Sequence, residues 1–152
     1  MEDKGLKKDE SPSTQALYQQ LLTCLKGSWR SLVVVPAQPG LSAKRVASAL
    51  VDVAGLVRGA SARLFDAEGL ELAGASRLIV EMTTHVEAGG LAVVCLESVV
   101  RKPAGIPLAL AADAALLVVH LGLSSTEDAK KTMALIGEEK FLGAVTLEQE
   151  RP

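Results

Sequence analysis

Residues that could handle a phosphate gather in one stretch, Pro36-Ala-Gln-Pro-Gly-Leu-Ser-Ala-Lys-Arg45. A short apolar run, Leu32 to Val35, leads into it. A stretch from Leu41 to Arg58 leads out, with Val46, Leu50, Val53, Ala54 and Val57 in one helical stripe. Strand, Pro-Gly turn and helix together have the layout of a phosphate-binding loop. Such a loop works through Gly-Lys-[Ser/Thr] at the helix start: the glycine lets backbone N–H groups close on the phosphates, the lysine reaches the β/γ oxygens, and the hydroxyl holds Mg²⁺. Ser42, Ala43 and Lys44 occupy those places here. Gln38, Pro39, Gly40, Ser42 and Lys44 therefore read as a vestigial loop, with no side chain suited to either task.

Other groups invite chemistry less strongly. A one-residue shift would offer Lys44 to a phosphate, but one residue turns a helical side chain by about 100°, and Arg45 would still supply no hydroxyl. Basic residues in a first helical turn oppose the helix dipole. Lys44 and Arg45 thus form either a solvated turn or a seat for an anion or an acidic partner surface. Asp66 could be a vestigial catalytic acid, although a carboxylate at a strand end more often serves a turn or cap. Cys95 reads as a small buried hydrophobe, and neither it nor Cys24 has CxxC or Cys/His spacing for zinc. His85 is expected on the exposed side of its helix. His120 closes an apolar strand, where sheets of this kind bind ligands; an alternative enzyme built on Asp66, His120 and Ser124 requires those groups to converge. Tyr18, Trp29 and Arg30 are interface anchors if exposed and close one end of the core if buried. Arg101-Lys102 could meet an acidic partner or form a wet loop.

The elements that must position these residues follow from periodicity and punctuation. A helix is expected over about 14–26, ended by Gly27, and a strand buried on both faces over Leu32 to Val35. The second helix stops at Gly59. Ala62 to Asp66 reads as a strand of weaker apolar signal, Leu72 to Glu87 as a helix, and Leu91 to Leu96 as a buried strand. Pro103 to Asp113 suggests a short helix, Ala114 to His120 the most apolar strand, and about 126–137 a helix whose Ser125 and Asp128 have capping-box spacing. Phe141 to Leu147 is the last strand. This alternation predicts an α/β fold, a doubly wound, mostly parallel sheet of about five strands with helices on both faces.

Composition narrows the function. The 152 residues are 49% hydrophobic and carry 16 Lys+Arg against 18 Asp+Glu, a net charge of -2. That suits a single α/β domain over 13–148, between a disordered lead (1–12) and a short tail (149–152). No basic face is available for nucleic acid. Apolar runs stop short of a membrane span and the charged N-terminus lacks a signal-peptide core, so a cytoplasmic protein without membrane insertion is expected.

The span from about Gln15 to Leu147 resembles the cytoplasmic ATPase domain of bacterial tyrosine kinases of capsular and exopolysaccharide systems, relatives of MinD- and ParA-type P-loop proteins. The resemblance rests on the loop at Pro36 to Ala47, on Ala62-Arg-Leu-Phe-Asp-Ala-Glu68 against an apolar-Asp-x-Asp motif, and on Ala92-Val-Val-Cys-Leu-Glu-Ser-Val99 against a strand ending in Asp-[Thr/Ala]-Pro-Pro. Asp113-Ala-Ala-Leu-Leu-Val-Val-His-Leu-Gly122 and Phe141-Leu-Gly-Ala-Val-Thr-Leu147 match its closing strands. Gapless alignment sets Ala43 at the loop lysine, Lys44 and Arg45 at the Ser/Thr pair, and Cys95 at a metal-coordinating Asp; Asp66 alone keeps an acidic position. Under the resemblance, Ala16, Gln19 and Leu22 stand at the oligomerising Glu-x-x-Arg-x-x-Arg residues, and Tyr18 is the sole tyrosine of these 152 residues, so no tyrosine-rich tail is expected among them. The resemblance implies a pseudo-ATPase or pseudokinase, without cofactor or metal, that acts as a protein-binding adaptor in polysaccharide export. Its implied partner is a membrane co-polymerase or an active kinase, which would recruit it to the inner membrane, and it could form a homo-oligomer. A MinD/ParA-like pseudo-ATPase in spatial organisation, such as motility or cargo positioning, is the alternative.

Overall fold

The most apolar runs of the sequence lie side by side in the middle of one parallel sheet. The computed structural model describes residues 12–148; the expected N-terminal lead, except Pro12, and the expected tail lie outside the described residues. In chain order the elements are α1 (Pro12–Cys24), β1 (Ser31–Pro36), α2 (Lys44–Arg58), β2 (Ala62–Asp66), α3 (Leu72–Glu87) and β3 (Leu91–Cys95). A 3-10 turn, Pro103–Gly105, then opens α4 (Ile106–Ala111), followed by β4 (Ala114–His120), α5 (Thr126–Ile136), a second 3-10 turn, Glu138–Lys140, and β5 (Phe141–Leu147). Strand order is β2-β3-β1-β4-β5, and every pairing is parallel.

Burial explains that order. All of β1 and β3 is buried, whereas β2 and β5, the weaker apolar runs, are the edges and are buried only in part. A strand covered on both faces must be apolar throughout, while an edge strand need not be. The chain steps from β1 out to β2, then returns through β3 and β4 to β5. Right-handed crossovers therefore place α2 on one face and α3, α4 and α5 on the other. On the first face Leu32 and Val34 of β1 pack with Leu21 of α1 and Val46 and Leu50 of α2. On the second, Val33 and Val35 pack with Met82 of α3, Leu108 of α4 and Ile136 of α5. Each such fully buried side chain contributes about 1.5–3 kcal/mol.

Helix ends account for most differences from the expected bounds. α1 is described from Pro12 onward. It ends at Cys24, earlier than expected, because the chain tightens into Leu25 N–H to Leu22 O and Lys26 N–H to Thr23 O turns, while Trp29 Nε1 donates to Cys24 O at 2.9 Å. α2 starts at Lys44 because Pro39 and the left-handed Gly40 (φ 87°) hold the preceding loop out of helical register. Gly59, at φ 68°, ends it as expected. Ser125 Oγ caps α5 by accepting from Asp128 N–H at 3.0 Å, as its spacing predicted.

Two residues correct the expectations. Trp29 is no interface anchor: it is buried, with the Arg58 guanidinium 4.3 Å above its ring. That guanidinium donates to Leu25 O at 3.2 Å, Gly27 O at 2.7 Å and Trp29 O, so one fork collects the carbonyls of the turn between α1 and β1. His85 is half-buried rather than on the open side of α3. Its Nε2 lies 3.1 Å from Ser61 O, its ring meets the edge of Phe65 at 6.0 Å, and it fills the space a Cβ on Gly90 would need, 2.2 Å from Nε2.

Arg58→Ala should cost about 2–4 kcal/mol in urea unfolding, and Arg58→Lys should recover only part of it, because an ammonium cannot spread over three carbonyls and a ring. Gly90→Ala should cost about 1–3 kcal/mol by evicting His85 from Ser61 and Phe65; an unchanged urea midpoint would contradict that packing.

Candidate functional site

A crevice opens where the connections of neighbouring strands part. β1 and β3 are paired, with Val34 opposite Cys95, yet the chain after β1 turns to the α2 face and the chain after β3 to the α4 face. Ligands of open α/β sheets bind at such switch points, beyond the carboxyl ends of the strands. The walls are the segments 37–43 after β1, 67–71 after β2 and 96–102 after β3. Gly40 sits at the lip, and a Cβ there would meet nothing within 4 Å.

The loop after β1 and the acid that ends β2 meet at this crevice. Lys44 Nζ lies 3.0 Å from Asp66 Oδ2 and 3.5 Å from Glu68 Oε1. Ser42 Oγ donates to Glu68 Oε2 at 2.5 Å and accepts from Lys44 N–H at 3.1 Å, so it takes the capping role for α2 that Ala43 cannot. Asp66 Oδ1 accepts the Glu68 N–H at 3.0 Å, and that bond, followed by Lys44, holds the Asp66 carboxyl below its usual range. The same contacts raise the Lys44 ammonium, hydrogen bonding to Asp66 first. The dipole conflict seen in the sequence is thus answered, for Lys44, by the chain's own carboxylates.

Cys95, which the sequence resemblance sets at a metal-coordinating position, is buried, with Sγ 3.7 Å from Glu68 Oε2. Burial, then Glu68 and Asp66, push its thiol up to about 12. A protonated thiol is no ligand for a hard cation, which takes oxygen donors. Among the described residues no group of three His, Cys, Asp or Glu side chains is placed to hold a metal.

Beyond this network lies a cavity of about 180 Å³, lined by Gly40, Ser42, Glu68, Glu97, Ser98, Arg101 and Lys102 among others. Glu97 Oε1 accepts Gly69 N–H at 3.0 Å, and Lys102 Nζ stands 3.8 Å from Glu97 and 3.9 Å from Glu71. Ser98 is buried, and its Oγ has no partner among the described residues. Sequence reasoning passed over Glu68, Glu97 and Ser98 as site residues. Glu68 was detectable two residues after Asp66 in an acidic motif, whereas nothing in the sequence marks Ser98 as buried.

The remaining predicted residues go elsewhere. Gln38 Oε1 accepts Ser125 N–H at 3.2 Å and ties the loop to the start of α5. Asp66, His120 and Ser124 do not converge as the alternative enzyme required: Asp66 ends β2 and His120 ends β4, three strand spacings apart, about 14 Å. Ser124 Oγ accepts His120 N–H at 2.9 Å; the His120 Nδ1 has no partner among the described residues, and burial lowers the imidazole pKa. Tyr18 is half-buried on α1. Arg30 lies at the opposite end of the sheet, where its Nη2 donates to Val86 O at 3.2 Å and its N–H to Asp113 Oδ2 at 2.8 Å. Arg45 is exposed beside Lys44.

No protein-family profile and no curated protein matches this sequence. Among solved structures, the crystal structure of the chimerical protein CapA2B2 superposes with a TM-score of 0.73 at 13% identity, over 96% of this chain and 88% of that one. The likeness is one of fold: a five-stranded parallel sheet with helices on both faces, doubly wound as the sequence predicted.

Proposed function

We propose that this domain is a P-loop-like module that has given up nucleotide chemistry and works by binding another protein. One observation carries the reading: the nearest cation to the loop, Lys44, is engaged by Asp66 and Glu68, and Ser42 is engaged by Glu68 as well. A triphosphate entering beside Gly40 would meet Glu68 and Glu97 while Lys44 is already engaged, and Ala43 stands where the resemblance sets the loop lysine. The Mg²⁺ hydroxyl is replaced by a basic side chain, and the third acidic motif by the protonated thiol of Cys95. The pathway reading is polysaccharide export, supported by the sequence resemblance to capsular and exopolysaccharide kinases and by the fold likeness to CapA2B2. The partner under this reading is a membrane co-polymerase or an active kinase of that system. Among the described residues no helix is long and apolar enough to cross a membrane.

Calorimetric titration of the purified protein with Mg-ATP and Mg-ADP should give no binding heat up to millimolar nucleotide. Micromolar affinity for either would overturn the reading. A pull-down with the tagged chain should retrieve a polysaccharide co-polymerase or kinase from its source cell, and recovery of division or motility proteins instead would favour the MinD/ParA-like alternative.

A further inference from the structure

Helix α1 has the placement of a crossover helix, yet no described strand precedes it. It lies beside α2 and over β5, with Leu17, Leu21 and Leu25 in the same core as Val145 and Leu147. On this face α2 makes the right-handed crossover from β1 toward β2. A chain stepping in the same direction, from a position outside β5 through α1 to β1, crosses with the same hand on the same face. The outer edge of β5 is open at that position. Leu147 O accepts Leu121 N–H on the β4 side, so Val145 and Leu147 face β4 while Ala144 and Thr146 turn their backbone groups outward. Gln20 already spans Thr146 as a neighbouring peptide group would, its Nε2 donating to Thr146 O at 3.2 Å and its Oε1 accepting Thr146 N–H at 3.0 Å. Ala144 has no such outward partner among the described residues. Beside it, between the end of α1 and the start of β5, is a cavity of about 390 Å³ lined by Gln20, Thr23, Cys24, Lys26, Leu142 and Ala144 among others, with one cation and no carboxylate. A shift of register against Ala115 and Leu116 makes Leu142 the extra residue of a bulge, 44% exposed.

We propose that the segment preceding α1, residues 1–11, lies along this edge parallel to β5, with Leu6 in the cavity against Leu142 and Cys24 and its backbone paired to Ala144. These residues lie outside the described ones, and their reach selects Leu6. Gln20 stands at Thr146 and Cys24 at the cavity, so α1 runs antiparallel to β5, and Cys24 is about 18 Å along the helix from Pro12. An extended chain covers that distance in about six residues, which brings Leu6 level with Cys24. Leu6 is the sole large apolar residue between Met1 and Pro12, and Glu2 and Asp3 beyond it come toward Lys26. The segment leaves the edge before Thr146, which Gln20 holds. An open strand edge invites pairing with other chains, and a short, charged cover closes it. The inference is independent of the nucleotide and partner readings.

Cys24 lines the cavity and Cys95 is buried, so iodoacetamide alkylation of the full chain, read by mass spectrometry, reports on the cover over Cys24. Leu6→Asp should speed that alkylation about fivefold and hydrogen exchange at the Ala144 amide about tenfold, and deleting residues 2–11 should reproduce both increases. A Leu6→Cys variant should form an intramolecular disulfide with Cys24 on mild oxidation about tenfold faster than Asp3→Cys, whose longer tether also reaches Cys24. Unchanged rates in Leu6→Asp, or equal disulfide rates for the two cysteine variants, would overturn the proposal. So would alkylation of the unaltered chain that quickens on about 50-fold dilution, since the cover would then be a second copy.

Discussion

Complete burial of β1 is the constraint on which the rest of the molecule depends. A strand with no exposed residue needs a paired neighbour on each edge and a helix layer on each face, and β3, β4 and the two helix layers supply these. Once β1 is central, the right-handed rule sends the step out to β2 over one face and the return steps over the other. The chain must then part above β1 and β3, so the crevice is a consequence of topology before any side chain is chosen. What the side chains decide is which charges face one another across it.

Those charges form a closed arrangement. A phosphate loop leaves its lysine and backbone donors waiting for an anion; here Asp66 and Glu68 already stand at Lys44, and Ser42 bridges Glu68 to the first N–H of α2. The helix start gains its compensating negative charge from β2's connection instead of from a ligand. Burial acts the same way on Cys95, whose thiol is held protonated beside the two carboxylates. Under the proposed reading, this internal pairing is what remains after an anion site has been filled by the protein itself.

The fold was legible because the signals are local and strong. β2, β4 and β5 lie where alternation and apolar runs placed them, and Ala62 to Asp66 read as weak because it is an edge. Strand order was not legible, since periodicity says nothing about which strands adjoin. The site was half legible. Ser42, Lys44 and Asp66 are each singled out by the sequence, but their meeting through Glu68 depends on where β2 lies in the sheet, which only the strand order reveals. His85 was misjudged for a similar reason. It packs on Ser61 and Phe65, distant in sequence, and no helical wheel shows such contacts.

Helix α2 connects these observations because it is held at both ends. Its C-terminal Arg58 gathers the carbonyls of the turn that launches β1, and its N-terminal Lys44 is tied to the connection that leaves β2. In between, Val46, Ala47, Leu50 and Ala54 are fully buried against the sheet. A helix fixed in this way cannot slide toward an incoming phosphate without breaking contacts at one end, so the wall it gives the crevice is rigid. The opposite wall is built differently. Lys102 is held only by long ion pairs, and the segment containing it enters α4 through a single 3-10 turn. The crevice thus has one wall fixed at both ends of a helix and one wall held by two long ion pairs.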